Sequence, residues 1–147
     1  MITLAQFRTD VPVTPADLYA RWADVDTHPQ WSTDLAWTRL DEPVRLGARG
    51  KLKPKGGPTS RFEVTELVEG RTFADTTMLP GARLTFRHHA EPTDSGARVE
   101  VTVTVSGPLS GLWARILGPA ATRDGVENDL ARLVALISED ADTEVAR

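Results

Sequence analysis

The sequence predicts an α+β fold in which an antiparallel sheet of six or seven strands packs against one long C-terminal helix, with two short helices after the first strand. Three observations carry this. From Gly107 to Glu139, apolar residues recur at helical spacing: Leu109, Leu112, Trp113, Ile116, Leu117, Ala120, and then Val126, Leu130, Leu133, Val134 and Ile137. Between Trp37 and Val105, short alternating runs are joined by turns too brief for a parallel crossover, which needs about a dozen residues. One face of those strands is polar, so the other must be covered, and only the terminal helix is long enough to cover it.

In chain order, Ile2 to Val13 reads as a strand whose alternation is best kept by Phe7, Thr9, Val11 and Val13, with the buried face left open. Thr14-Pro15-Ala16-Asp17 starts a helix: the threonine caps, the proline takes the first position, and Asp17 meets the positive end of the dipole. Leu18, Tyr19, Trp22 and Val25 share its apolar face. After Asp24-Val25-Asp26, Thr27-His28-Pro29-Gln30-Trp31 has the composition of a second helical turn. Strands follow at Trp37–Leu40, Gly47–Lys53, Ser60–Val68, Arg71–Leu79 and Arg83–Ala90, punctuated by Asp41-Glu42-Pro43, Gly56-Gly57-Pro58, Glu69-Gly70 and Pro80-Gly81. In the last of these, Leu84, Phe86 and His88 share a face against Thr85, Arg87 and His89. Val99, Val101, Val103 and Val105 form the clearest strand, inward against Arg98, Glu100, Thr102 and Thr104. Gly107-Pro108 then opens the final helix. Gly118-Pro119 interrupts that helix by a kink or by starting a second one. Beyond it, Thr122, Arg123, Asp124 and Gly125 form a waist of polar and small residues where a packed core would place leucines, which predicts open space beneath.

Composition bounds the function. The 147 residues form a single predicted domain, 1–147, with 141–147 a frayed tail. Without cysteine there is no disulfide framework, thiolate nucleophile or cysteine zinc site. A net charge of −4 and a pI near 5.4 argue against nucleic acid or an anionic membrane as partner. No apolar run nears the roughly 18 residues of a membrane span, and the N-terminus has no charged-then-apolar leader pattern, so a cytoplasmic protein without membrane insertion is expected. A monomer or homodimer is expected, and no cofactor is implied.

Val-Pro-Val-Thr-Pro-Ala-Asp-Leu-Tyr before the first helix, Asp24 to Trp31 after it, Leu84-Thr85-Phe86-Arg87-His88 in a late strand and Gly107-Pro108-Leu109 at the last helix resemble the polyketide cyclase/dehydrase-like branch of the START/Bet v 1-like (SRPBCC) superfamily. The resemblance spans essentially the whole chain and implies a helix-grip fold: a curved antiparallel sheet gripping the terminal helix, with an elongated apolar cavity between them. It specifies activity poorly, because that superfamily includes aromatase/cyclases, lipid and sterol carriers, plant ligand-binding proteins and chaperone activators.

The cavity's apolar wall is expected from Phe62, Phe86, Val101 and Val103, with Trp31, Trp37 and Trp113 near its ends. Each of these also reads as ordinary core. His88 is the leading polar candidate, an imidazole on the face of Leu84 and Phe86 that could exchange a proton or orient a carbonyl. The competing reading is a core histidine satisfied by a backbone carbonyl. Arg123, at the waist, could meet an enolate or a ligand carboxylate, or turn to solvent beside Asp124 or Glu127. Asp24 and Asp26 near His28 could act as paired carboxylates, but helix ends and turns commonly carry Asp for capping. His88 and His89 face opposite ways on one strand, so no metal site is expected. Arg49, Lys51, Lys53 and Lys55 form a basic stripe that reads as a solvent face or an edge guard. No serine sits in a Gly-x-Ser-x-Gly elbow. Two function classes result: a carrier or sensor of a hydrophobic small molecule, lipid, aromatic or polyketide-like; or a cyclase/dehydratase in which His88 shuttles a proton and Arg123 steadies an enolate. A protein-interaction module is the third, and would expose an apolar patch instead.

Overall fold

The structure, a computed structural model, describes residues 1–117 and 123–145, with side chains as far as Asp140. Its strands are β1 (Ile2–Val11), β2 (Leu35–Leu40), β3 (Arg49–Pro54), β4 (Ser60–Val68), β5 (Thr72–Leu79), β6 (Ala82–Thr93) and β7 (Gly96–Ser106). All pair antiparallel in one curved sheet of order β1-β7-β6-β5-β4-β3-β2. From β2 to β7 the order is that of the chain, as short turns dictate. Helix α1 (Pro15–Ala23) and a 3-10 turn (Val25–Gln30) connect the two edge strands, and α2 (Ser110–Leu117) and α3 (Arg123–Val145) follow the sheet. The Gly118-Pro119 interruption and Thr122 lie outside the described residues, as do the side chains of the expected 141–147 tail.

Local chemistry explains the boundaries. The Thr14 hydroxyl accepts the Asp17 N–H at 3.1 Å, with Pro15 opening α1. β1 buries Ala5 and Phe7, which settles its inward face. Cross-strand register then aligns Val64, Asp75, Phe86 and Val103 in one row, and Phe73, His88, Val101 and Phe7 in the next, on the face turned toward the helices. The opposite face is held by polar pairs: Thr76 shares hydrogen bonds with Thr65 and Thr85 at 3.0 and 2.9 Å, and Arg87 forks onto Glu66 at 2.9 and 3.2 Å. The Arg49–Lys53 stripe belongs to β3, which is paired on both sides, so it guards no edge. Gly50 is required by packing, because a Cβ there would lie 2.3 Å from the Arg39 carbonyl oxygen and 2.7 Å from the Phe62 ring.

The core lies between sheet, α1 and α3. Leu18, Trp22 and Phe73 are fully buried and Leu133 nearly so. An Arg21–Asp140 ion pair joins α1 to α3 at the surface. α2 packs on β1, β6 and β7 but buries none of its own residues, leaving Leu112 and Ile116 exposed along with Leu109 just before it.

Candidate functional site

Sheet and α3 do not close on each other. Between them lies a cavity of about 240 Å³. Phe62, Leu84, Phe86 and Val101 line it from the sheet, and Trp22, Val25, His28 and Trp31 from α1, the 3-10 turn and the residue after it. Gly125, Val126, Asp129, Leu130 and Leu133 line it from α3, and Leu117 from the end of α2. The wall is mostly apolar, as small-molecule sites are. An apolar cavity of about 150 Å³ accommodates benzene, so this one has room for roughly two fused rings.

Three titratable side chains are buried in its wall. His28 sits in the 3-10 turn and its Nε2–H donates to the Trp22 carbonyl at 2.7 Å. Because a carbonyl can only accept, that bond places the proton on Nε2 and leaves Nδ1 as a lone pair in the neutral ring. Burial lowers the His28 pKa to about 4, against the opposing effects of that hydrogen bond and of Asp24 and Asp26. His88 is lowered further, to about 3, first by burial and then by His28 nearby; the Phe73 backbone opposes this. Its ring lies 5.3 Å from Trp22 and 5.9 Å, edge-on, from Trp31. Asp75, on β5 beside Phe86, is raised from 3.8 to about 7 by burial alone. Near neutral pH both imidazoles are therefore uncharged, and Asp75 is poised between its acid and its anion.

Hydrogen-bond satisfaction separates these groups. The indole Nε1 atoms of Trp22 and Trp31 and Nδ1 of His88 have no partner and are covered by protein atoms. The Asp75 carboxyl also has no partner among the described residues, yet it is not among these covered atoms, and the residue lines the cavity. Asp129, half-buried on α3, is bonded by Thr33; burial raises its pKa first, and Asp34 adds to the rise.

The expected residues divide. Trp31, Phe62, Phe86, His88 and Val101 all meet at the cavity. Trp37, Val103, Trp113 and Arg123 do not. Register slips between Leu35 and Trp37, so Thr38 and its partner Leu52 face inward while Trp37 turns out under the Arg39 guanidinium, 5.8 Å from its ring. Val103 is fully buried beside Phe86 but short of the cavity, on a strand against which α2 packs. The Trp113 Nε1–H donates to the Pro80 carbonyl at 2.7 Å, which ties α2 to the β5–β6 turn. Arg123 points away: it pairs with Glu127 at 2.8 Å and lines a separate surface groove with Phe7, Arg8 and Val134. On α3, positions 125, 126, 129, 130 and 133 share the cavity face, whereas 123, 127 and 134 lie on the adjacent one. Asp26 ties the 3-10 turn to β2, its carboxylate accepting the Leu40 N–H at 2.9 Å. His28, Trp22, Asp75 and Asp129 complete the site without having been anticipated there.

Residues 3–138 match the family model for polyketide cyclase/dehydrase and lipid transport proteins. The chain belongs to that family. Among solved structures, the family fold recurs in the di-domain aromatase/cyclase StfQ of the steffimycin biosynthetic pathway (TM-score 0.72, 17% identity), where the match covers 93% of this chain and 51% of that one. It recurs in TTHA0849 from Thermus thermophilus (0.70, 15%; 92% and 97% covered) and in Ara h 8.0201 (0.66, 16%; 91% and 96% covered). At such identities the likeness is one of fold. No curated protein matches the chain. Among the described residues no helix is long and apolar enough to cross a membrane, and no three His, Asp or Glu side chains converge as metal ligands.

Proposed function

We propose that this family member holds a hydrophobic small molecule, of about two rings in size, between its sheet and α3. The observation that carries this is the 240 Å³ apolar cavity, opened where Gly125 and Asp129 stand in place of larger apolar side chains. Membership in a cyclase and lipid-transport family supports the same reading. Carriage is placed ahead of catalysis. A cyclase or dehydratase would use His88 as its acid or base, and His88 does face the cavity. With its pKa near 3, however, the imidazole is almost never protonated at neutral pH and is a weak base. The exposed aliphatics of α2 are the feature an interaction module would need, and the cavity is not explained by one.

An apolar fluorescent dye should bind with saturation at one site. Leu84→Trp, which fills the cavity from β6, should abolish that binding while leaving far-UV circular dichroism unchanged. Dye binding that persists undiminished in a folded Leu84→Trp protein would overturn the proposal. Mass spectrometry of small molecules released from the purified protein would identify the natural guest.

A further inference from the structure

We propose that the guest is a hydrophobic amine, bound as its cation with Asp75 as counter-ion. This rests on the ligand-holding reading above and specifies the chemistry of the guest. Asp75 is nine-tenths buried in the cavity wall, and among the described residues its carboxyl has neither a hydrogen bond nor an ion pair. A carboxyl in such a setting lacks a partner that the fold does not supply. The covered indole and imidazole nitrogens are shielded from a guest; the Asp75 carboxyl is not among those shielded atoms.

The rest of the lining points the same way. Among the described residues no Lys or Arg borders the cavity, and the charge-bearing side chains that do, Asp34, Asp75 and Asp129, are all acidic. Both histidines stay neutral there, held by burial, and His28 keeps its Nδ1 lone pair. Trp22, Trp31, Phe62 and Phe86 make the wall rich in aromatic rings, whose faces attract cations. A carboxylate-headed lipid would enter a site with three acids and no cation to receive it, and desolvating its charge beside Asp75 is unfavourable. A protonated amine on an apolar ring system meets the opposite situation: a buried anion, aromatic walls and no competing positive charge.

The test uses three naphthalenes of matched size: 1-naphthylmethylamine as the cation, 1-naphthylmethanol as the neutral isostere and 1-naphthoate as the anion. Affinities are measured by titration calorimetry on the intact chain at about pH 8, where an alkylamine remains protonated. The amine should bind about ten-fold or more tighter than the alcohol, as expected for a charge-assisted hydrogen bond in a desolvated site, and the naphthoate weakest of all. In Asp75→Asn the amine-to-alcohol ratio should fall to about one. An alcohol that binds as tightly as the amine in the wild-type protein would overturn the amine assignment and leave the cavity reading intact. Failure of all three to bind would overturn both. A ratio that survives in Asp75→Asn would remove Asp75 as the counter-ion. The wild-type series is decisive even if that variant does not fold.

Discussion

Replacing Asp75 by Asn should reshape the pH dependence of stability. In the folded chain burial raises this carboxyl from 3.8 to about 7. Between those values the folded state holds a proton that the unfolded state has released, so stability falls as pH rises through the window. At 1.36 kcal/mol per pH unit, the full effect above pH 7 is about 4 kcal/mol, a ceiling that water in the cavity would lower. His28 and His88 act in the opposite direction. Their folded pKa values, about 4 and about 3, lie below the ordinary 6.5, so the unfolded chain takes up two protons that the folded one refuses and stability is lost as pH falls below 6.5. From about pH 4.5 to 6 the balance is one proton, and wild-type stability should climb by about 1.4 kcal/mol per pH unit and then level off near pH 7, where the last of the histidine gain and the Asp75 loss cancel. In Asp75→Asn the climb should steepen to about 2.7 kcal/mol per unit, so that variant and wild type diverge by about 4 kcal/mol between about pH 4 and 8. Urea unfolding at half-unit steps measures both curves, and their difference isolates Asp75 from every other titrating group. A difference that stays constant from about pH 4 to 8 would refute the burial of an unpaired carboxyl.

Two further outcomes follow from the same geometry. Arg123→Ala should leave dye affinity unchanged and shift stability by no more than about 0.5 kcal/mol, since an exposed i,i+4 pair with Glu127 is all it removes; chemical denaturation and dye titration check both. In a pH series followed by NMR, the His28 and His88 ring signals should hold their neutral shifts down to about pH 5, with His28 keeping its Nε2–H tautomer; an imidazole titrating near 6.5 would contradict its burial.

Much of the fold was legible because local rules and the global layout agree. Thr14-Pro15, the glycine turns and the Val99–Val105 alternation each state one structural fact, and the structure repeats it. The site was half legible for a geometric reason. Period-2 alternation assigned His88 and Phe86 to the cavity face, but one irregularity between Leu35 and Trp37 reversed the parity and carried Trp37 outward. Asp75 was hidden by its strand: Thr72-Phe73-Ala74-Asp75-Thr76-Thr77 is buried throughout, with small and polar residues on both faces, so alternation marks no inward side. His28 reads as part of a capping turn with Asp24 and Asp26, and only the 3-10 geometry swings its ring toward Trp31 and Phe73. At the helical waist Gly125 borders the cavity, whereas Arg123, two residues and about 200° of helix earlier, lies with Glu127 and Val134 on another face.

The buried acid and the cavity explain each other energetically. A domain of this kind is stable by about 5–15 kcal/mol, so an unpartnered carboxyl worth up to about 4 kcal/mol, together with indole N–H groups each costing about 1–3 kcal/mol, weighs heavily against the fold. In a closed core an apolar residue at position 75, packed against Val64 and Phe86, would remove the penalty. Retaining Asp75 beside empty space means that the missing interaction energy is available to whatever enters. A guest that supplies only apolar area gains burial alone, whereas one that also ion-pairs with Asp75 recovers the desolvation already met in folding. Thermal stabilisation by the amine should therefore exceed that by its neutral isostere at equal occupancy, and the excess should disappear below the Asp75 pKa, where the carboxyl is protonated and the advantage of a cation is lost.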